Sequence, residues 1–168
     1  DIDVAYYLVH SMSTSNGDFE KMEATSAENF KKRMDHTNVK QVIYLTGIVN
    51  EKLLSKHLQS RQHVEEILKK GSYAFTALRA GIIVGSGSAS FEIIRDLVEK
   101  LPIMITPRWL KTKTQPIAIR DVVAYLKGVI GQPEALNNNF DISSGEIFTY
   151  EDLLLKFAAV RGLKRKII

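Results

Sequence analysis

The stretch QVIYLTGIVNEKLLSKHLQSRQHVEEILKKGSYAFTALRAG, residues 41–81, decides the fold. Residues 42–45 form a short, unbroken apolar and β-branched run, the pattern of a strand covered on both faces in a parallel sheet. From about Glu51 to Lys70, Leu53, Leu54, His57, Leu58, Arg61, Val64, Ile67 and Leu68 recur at helical spacing, and Gly71 supplies a C-terminal stop. Residues 74–78 then read as a second strand. A strand, a helix of more than ten residues and another strand make a βαβ unit of a parallel sheet.

Working outward, residues 4–9 (VAYYLV) read as a further strand buried on both faces. A polar stretch, residues 11–17, leads to Asp18, which can cap a helix whose inward stripe is Phe19, Met22, Ala27 and Phe30. Downstream lie a glycine-rich turn (Gly81, Gly85, Gly87) and a helix over residues 91–101. An irregular segment, 102–114, is bounded by Pro102, Pro107 and Pro116. A helix over 121–130, a short strand over 140–142 and a helix over 150–160, with Thr149 as N-cap, complete the chain. The expectation is an α/β protein: a Rossmann-like, doubly wound parallel sheet in three α/β/α layers. Residues 1–168 form one domain, with a small C-terminal substrate lobe from about 88–115 and 144–168, on the sheet edge where such folds bind ligands.

A doubly wound domain normally opens with a strand, a glycine-rich turn and a helix. This sequence contains neither G-x-G-x-x-G nor G-x-x-G-x-x-G, and Gly81, Gly85 and Gly87 have the wrong spacing. It opens on a buried-type strand, so the sequence reads as a domain incomplete at its N-terminus. The flank of that first strand leaves room for a homo-oligomer.

Composition narrows the function classes. There is no cysteine, which excludes disulfides and thiolate metal sites. Of the four histidines, only His57 and His63 approach each other, six apart rather than the i,i+4 of a shared helical ligand pair; no metal is expected. The net charge of +4 comes partly from two clusters, Lys111/Lys113 and Lys164/Arg165/Lys166, which read as solvated faces rather than a nucleic-acid patch. No apolar run reaches membrane-spanning length and no signal peptide opens the chain, so a cytoplasmic protein is expected.

Five segments in order resemble the atypical and extended short-chain dehydrogenase/reductases. These are DVAYYLVHSM (3–12), VIYLTG (42–47), FTALRAGIIVG (75–85), QPIAIRDVV (115–123), and NFDI (139–142) followed by TYEDL (149–153). The pattern is most similar to NmrA-like NAD(P)H-binding proteins, the predicted nucleoside-diphosphate-sugar epimerase group. The resemblance implies a cofactor, NADP or NAD. It also implies weak or absent binding by these 168 residues alone, because the pyrophosphate-binding turn is not among them. It assigns cofactor contacts to Val9, His10, Ser11, Met12, Thr46, Arg61, Ala80, Gly81 and Ile82.

Relatives carry Tyr and Lys four residues apart on the helix after the fifth strand of the family fold, with a Ser or Thr at that strand's end. Here those positions are His57, Arg61 and Thr46, the catalytic set the resemblance implies. Histidine can relay a proton near neutral pH, and arginine can grip ribose hydroxyls or phosphate. Two plainer readings stand beside this: His57 as a half-exposed helix residue without a role, and Arg61 as the i,i+4 partner of Glu65. Trp109 and Arg108 line a substrate pocket or, for Trp109, a local core. The implied function is an NAD(P)H-binding oxidoreductase or nucleoside-diphosphate-sugar epimerase-like protein acting on an unknown small molecule. The alternative is a non-catalytic NAD(P)H-binding redox sensor or assembly factor.

Overall fold

The computed structural model describes residues 2–9, 19–48, 56–105 and 107–168, with the side chains of Lys56, His57 and Arg108 left aside. In chain order the elements are β1 (Val4–Tyr7), α1 (Phe19–Asp35), β2 (Gln41–Gly47), α2 (Lys56–Leu68), β3 (Ala74–Ala80) and β4 (Ile83–Val84). There follow α3 (Ala89–Lys100), β5 (Ile103–Met104), β6 (Lys113–Thr114), β7 (Ile117–Ala118), α4 (Ile119–Gly128) and β8 (Asn138–Ile142). Last come β9 (Phe148–Thr149), α5 (Tyr150–Val160) and β10 (Lys166–Ile167). The chain divides into two compact units, residues 1–79 with 124–141, and residues 80–123 with 142–168.

The first unit is built on a parallel four-stranded sheet in the order β1-β2-β3-β8. Its register sets Tyr7 beside Tyr44. Strand alternation sends Tyr7, Val42, Tyr44, Phe75 and Ala77 to one face, where they pack with Ala27 of α1 and Val64, Ile67 and Leu68 of α2. An aromatic row crosses this face, Tyr7 on Phe30 at 4.9 Å and on Tyr44 at 5.8 Å between ring centres. On the other face the buried Gln41 amide donates to Thr76 Oγ1 (2.9 Å) and to the Val129 carbonyl (3.0 Å), and its oxygen accepts from the Gly131 N–H (2.8 Å). Thr76 donates onward to the Ala135 carbonyl at 2.7 Å. These bonds tie the segment after α4 to the sheet and satisfy groups that would otherwise be buried unpaired.

Two details depart from the sequence reading. β1 is an edge strand, and only Tyr7 is fully covered; Tyr6 is 37% exposed and sends its hydroxyl to the Leu126 carbonyl. In α1 the inward stripe is rotated by one residue: Met22 faces solvent and Glu23 is buried, with Ala27, Phe30 and Met34 below it. The Ser60 hydroxyl of α2 donates to the Glu23 carboxylate, which gives that buried charge a partner and favours this rotation. The expected Asp18 cap and residues 51–55 of the expected helix lie outside the described residues.

The second unit packs α3 against α5 around Ile94, Val98, Met104, Leu110, Leu154 and Ala158. Three small ladders frame it: β4 with β7, β5 with β10, and β6 antiparallel to β9. Ser88 caps α3, and Thr149 caps α5 in a reciprocal box with Asp152. Arg165 donates to the last carbonyls of α3, those of Val98 and Glu99, where a positive charge complements the helix dipole. Among the described residues no helix is long and apolar enough to cross a membrane, and no cluster of three or more His, Asp or Glu could hold a metal.

Candidate functional site

The C-terminal end of β2 is where the first unit gathers its unusual polar groups. Gly47, its last residue, lies hard against α2. A Cβ there would stand 3.2 Å from Arg61 Nη1 and 3.3 Å from Leu58 Cδ2, so any side chain would push on the guanidinium. Gly47 thus marks a close approach of strand end and helix, with Arg61 at that strand end. Thr46, one residue earlier, is 7% exposed, and its buried Oγ1 makes no hydrogen bond of good geometry among the described residues, although it lies close enough to the Tyr44 phenol to act on it. A hydroxyl so placed can bond a polar atom that enters.

Two residues back along the strand, Tyr44 shares the face of Thr46. Burial pushes its phenol up to about 12; the neighbouring Thr46 hydroxyl and the Arg61 charge pull it partly back, while Glu23 adds to the rise. The electrostatic neighbours of that phenol thus include groups from α1, β2 and α2. Sequence reasoning missed Glu23, because Met22 completed a plausible apolar stripe. The available signal was Ser60, a hydroxyl at a core position of α2 that needs a polar partner across the helix pair.

The structure brings Thr46 and Arg61 together at one strand end. Arg61 does not take Glu65 as its helical partner: the Glu65 carboxylate is engaged by Arg79, at 2.7 Å to Nη2 and 3.2 Å to Nε. With its amide turned oxygen-first, Asn139 of β8 also accepts from Arg79, at 2.7 and 2.8 Å. Arg79 therefore ties β3 to α2 and β8, a structural duty. Val9 is exposed two residues beyond the Tyr7–Tyr44 pair, at the same sheet end as Thr46. His10, Ser11 and Met12 lie outside the described residues, as does the side chain of His57, whose backbone is in the first turn of α2.

Ala80, Gly81 and Ile82 belong to the second unit. Ala80 and Ile82 are buried, and a Cβ on Gly81 would stand 2.6 Å from the Gln115 carbonyl oxygen, so this glycine answers to packing. Trp109 is 57% exposed and meets Tyr150 edge to face, at the wall of a cavity rather than inside a core.

A scan against protein-family profiles gave no match, and neither did a search of curated proteins. Solved structures gave several. A short-chain dehydrogenase/reductase superfamily protein from Agrobacterium tumefaciens, with bound NAD, matches with a TM-score of 0.78 and 14% identity over 99% of this chain and 67% of its own. The chain shares the Rossmann-like fold of that structure. UDP-glucuronic acid 4-epimerase from Bacillus cereus, in complex with NAD, matches at 0.77 and 15% identity over 100% of this chain and 63% of its own. The epimerase Mth375 from Methanothermobacter thermautotrophicus matches at 0.82 and 10% identity over 99% and 59%. This chain thus spans about three-fifths to two-thirds of the length of these solved structures.

Proposed function

We propose that this protein is an NAD(P)H-binding oxidoreductase or nucleoside-diphosphate-sugar epimerase-like enzyme, with the end of β2 as its nicotinamide-side wall. The observation that carries this reading is the buried Thr46 hydroxyl, without a well-formed hydrogen bond among the described residues, beside Gly47 and Arg61. That set fits the cofactor's chemistry: a buried hydroxyl for a polar ligand atom, and a fixed cation for ribose hydroxyls or phosphate. The NAD bound by the solved neighbours adds support.

When bound, the nicotinamide supplies or accepts a hydride; the rest falls to the chain. Thr46 donates a hydrogen bond to the substrate oxygen, stabilising charge as it develops there. His57 gives or takes the proton at that oxygen, in the place where related enzymes carry tyrosine. Arg61 holds the cofactor ribose and keeps the site positive. Val9, at the same sheet end, is a further cofactor contact in this reading. The narrower NmrA-like resemblance belongs to the same reading.

The test is turnover of NADH and NADPH with carbonyl and quinone acceptors, in the wild-type protein and in His57→Ala and Thr46→Val. The expected result is loss of turnover in both variants; unchanged turnover in His57→Ala removes that residue from the mechanism. One observation favours the second reading, a redox sensor: the Tyr/Lys pair of the related enzymes is His57/Arg61 here. A sensor binds NAD(P)H without turning it over, and loses binding in Arg61→Met.

A further inference from the structure

Tyr44 of β2 is 4% exposed, and its ring is flanked from both neighbouring strands, by Tyr7 of β1 at 5.8 Å and by Phe75 of β3 at 6.5 Å between ring centres. A ring held on both sides has little freedom left, and its hydroxyl is held with it. Two residues on, Thr46 stands on the same face of the strand. The phenol and Thr46 Oγ1 are close enough for each to act on the other, yet among the described residues no hydrogen bond of good geometry reaches Oγ1.

The other groups acting on the phenol are Arg61 of α2, Glu23 of α1 and Tyr7 of β1. Glu23 is itself buried and accepts from the Ser60 hydroxyl. Burial first, and the Glu23 carboxylate with it, disfavour a phenolate, so Tyr44 keeps its proton far above neutral pH. A protonated phenol is a donor, and a threonine oxygen can accept from it while giving its own proton elsewhere. Donation into a hydroxyl strengthens the bond that hydroxyl makes next. Bonds of this kind are often long in an empty site and close when the ligand is bound.

We propose that Tyr44 is a positioning residue of the β2 site: on ligand entry its O–H donates to Thr46 Oγ1 and turns the Thr46 proton toward the ligand. The proposal rests on the reading of the β2 end as the nicotinamide-side wall, and adds to it a residue that touches neither cofactor nor substrate.

Tyr44→Phe removes the hydroxyl alone and leaves the ring between Tyr7 and Phe75. The 168-residue chain, isotope-labelled at the tyrosine Cζ and at the backbone amides, is titrated with reduced nicotinamide mononucleotide. Amide shifts at Thr46 and Gly47 give the affinity, and the Tyr44 Cζ signal reports the bonding of the phenol. Expected in the wild type is a Tyr44 Cζ shift that saturates with the amide shifts. Expected in Tyr44→Phe is binding about three- to tenfold weaker, still centred on Thr46 and Gly47. Tyr7→Phe, which removes a hydroxyl from the same aromatic row, leaves the affinity unchanged. Circular dichroism checks that both variants fold, and the wild-type Tyr44 Cζ signal tests the proposal without any variant. A Tyr44 Cζ signal that stays still at saturation overturns the proposal, and so does Tyr44→Phe binding as tightly as the wild type. Equal weakening in Tyr7→Phe also overturns it, since that would be an effect of packing. Wild-type protein without shifts at Thr46 and Gly47 overturns the nicotinamide reading and this proposal together; binding there with Tyr44→Phe unchanged overturns this proposal alone.

Discussion

A buried hydroxyl without a hydrogen-bond partner costs about 1–3 kcal/mol, and among the described residues Thr46 Oγ1 has no well-formed one. Thr46→Val removes the hydroxyl while keeping the shape, so stability to urea is expected to hold or rise by about 1 kcal/mol. Nicotinamide-dependent function is expected to fall, and that opposite pairing is what a site, rather than a core position, produces. Tyr44 and Tyr73 make a second residue-scale prediction, since burial raises both phenols to about 12. Above pH 10 the unfolded chain gives up these protons first, so stability falls between pH 10 and 12, by up to about 1.4 kcal/mol per unit per tyrosine. Urea midpoints at pH 9, 10 and 11 check this, and Tyr44→Phe flattens the decline. At this scale the positions of Thr46 on a strand end and Arg61 on the next helix were legible, and the family resemblance singled them out as a site; their role remains a proposal. Glu23 was not, because its burial depends on Ser60 from a different helix.

The helix starts and stops follow local rules and were mostly legible. Thr149 with Asp152 three residues on is a capping pair visible in sequence, and the structure closes it in both directions. Thr149→Ala is expected to cost about 1 kcal/mol in urea unfolding. Gln41 was not legible as a structural residue: a glutamine ahead of an apolar run looks like a strand's polar start. Its three hydrogen bonds hold the 129–131 segment against the sheet. Gln41→Leu leaves the Gly131 N–H without its partner and is expected to cost about 1–3 kcal/mol, read as a lower urea midpoint and faster amide exchange at Gly131. The rotation of α1 shows why periodicity errs: Met22 and Glu23 both complete a helical stripe, and only tertiary pairing separates them.

For the whole molecule, alternating apolar runs and amphipathic stretches were enough to predict the parallel sheet and its helices. The βαβ unit of residues 41–81 survives as β2, α2 and β3. The short ladders of the second unit were less legible, since two-residue strands such as β5 and β10 leave no period to read. The account stands on the β2 end being the nicotinamide-side wall. The most direct test is amide chemical-shift mapping with reduced nicotinamide mononucleotide, which probes that wall without the pyrophosphate half of the cofactor. The prediction is saturable shifts centred on Thr46, Gly47 and residues 58–61, lost in Thr46→Val. Saturable shifts confined to other surfaces, with Thr46, Gly47 and Arg61 unmoved, would contradict it.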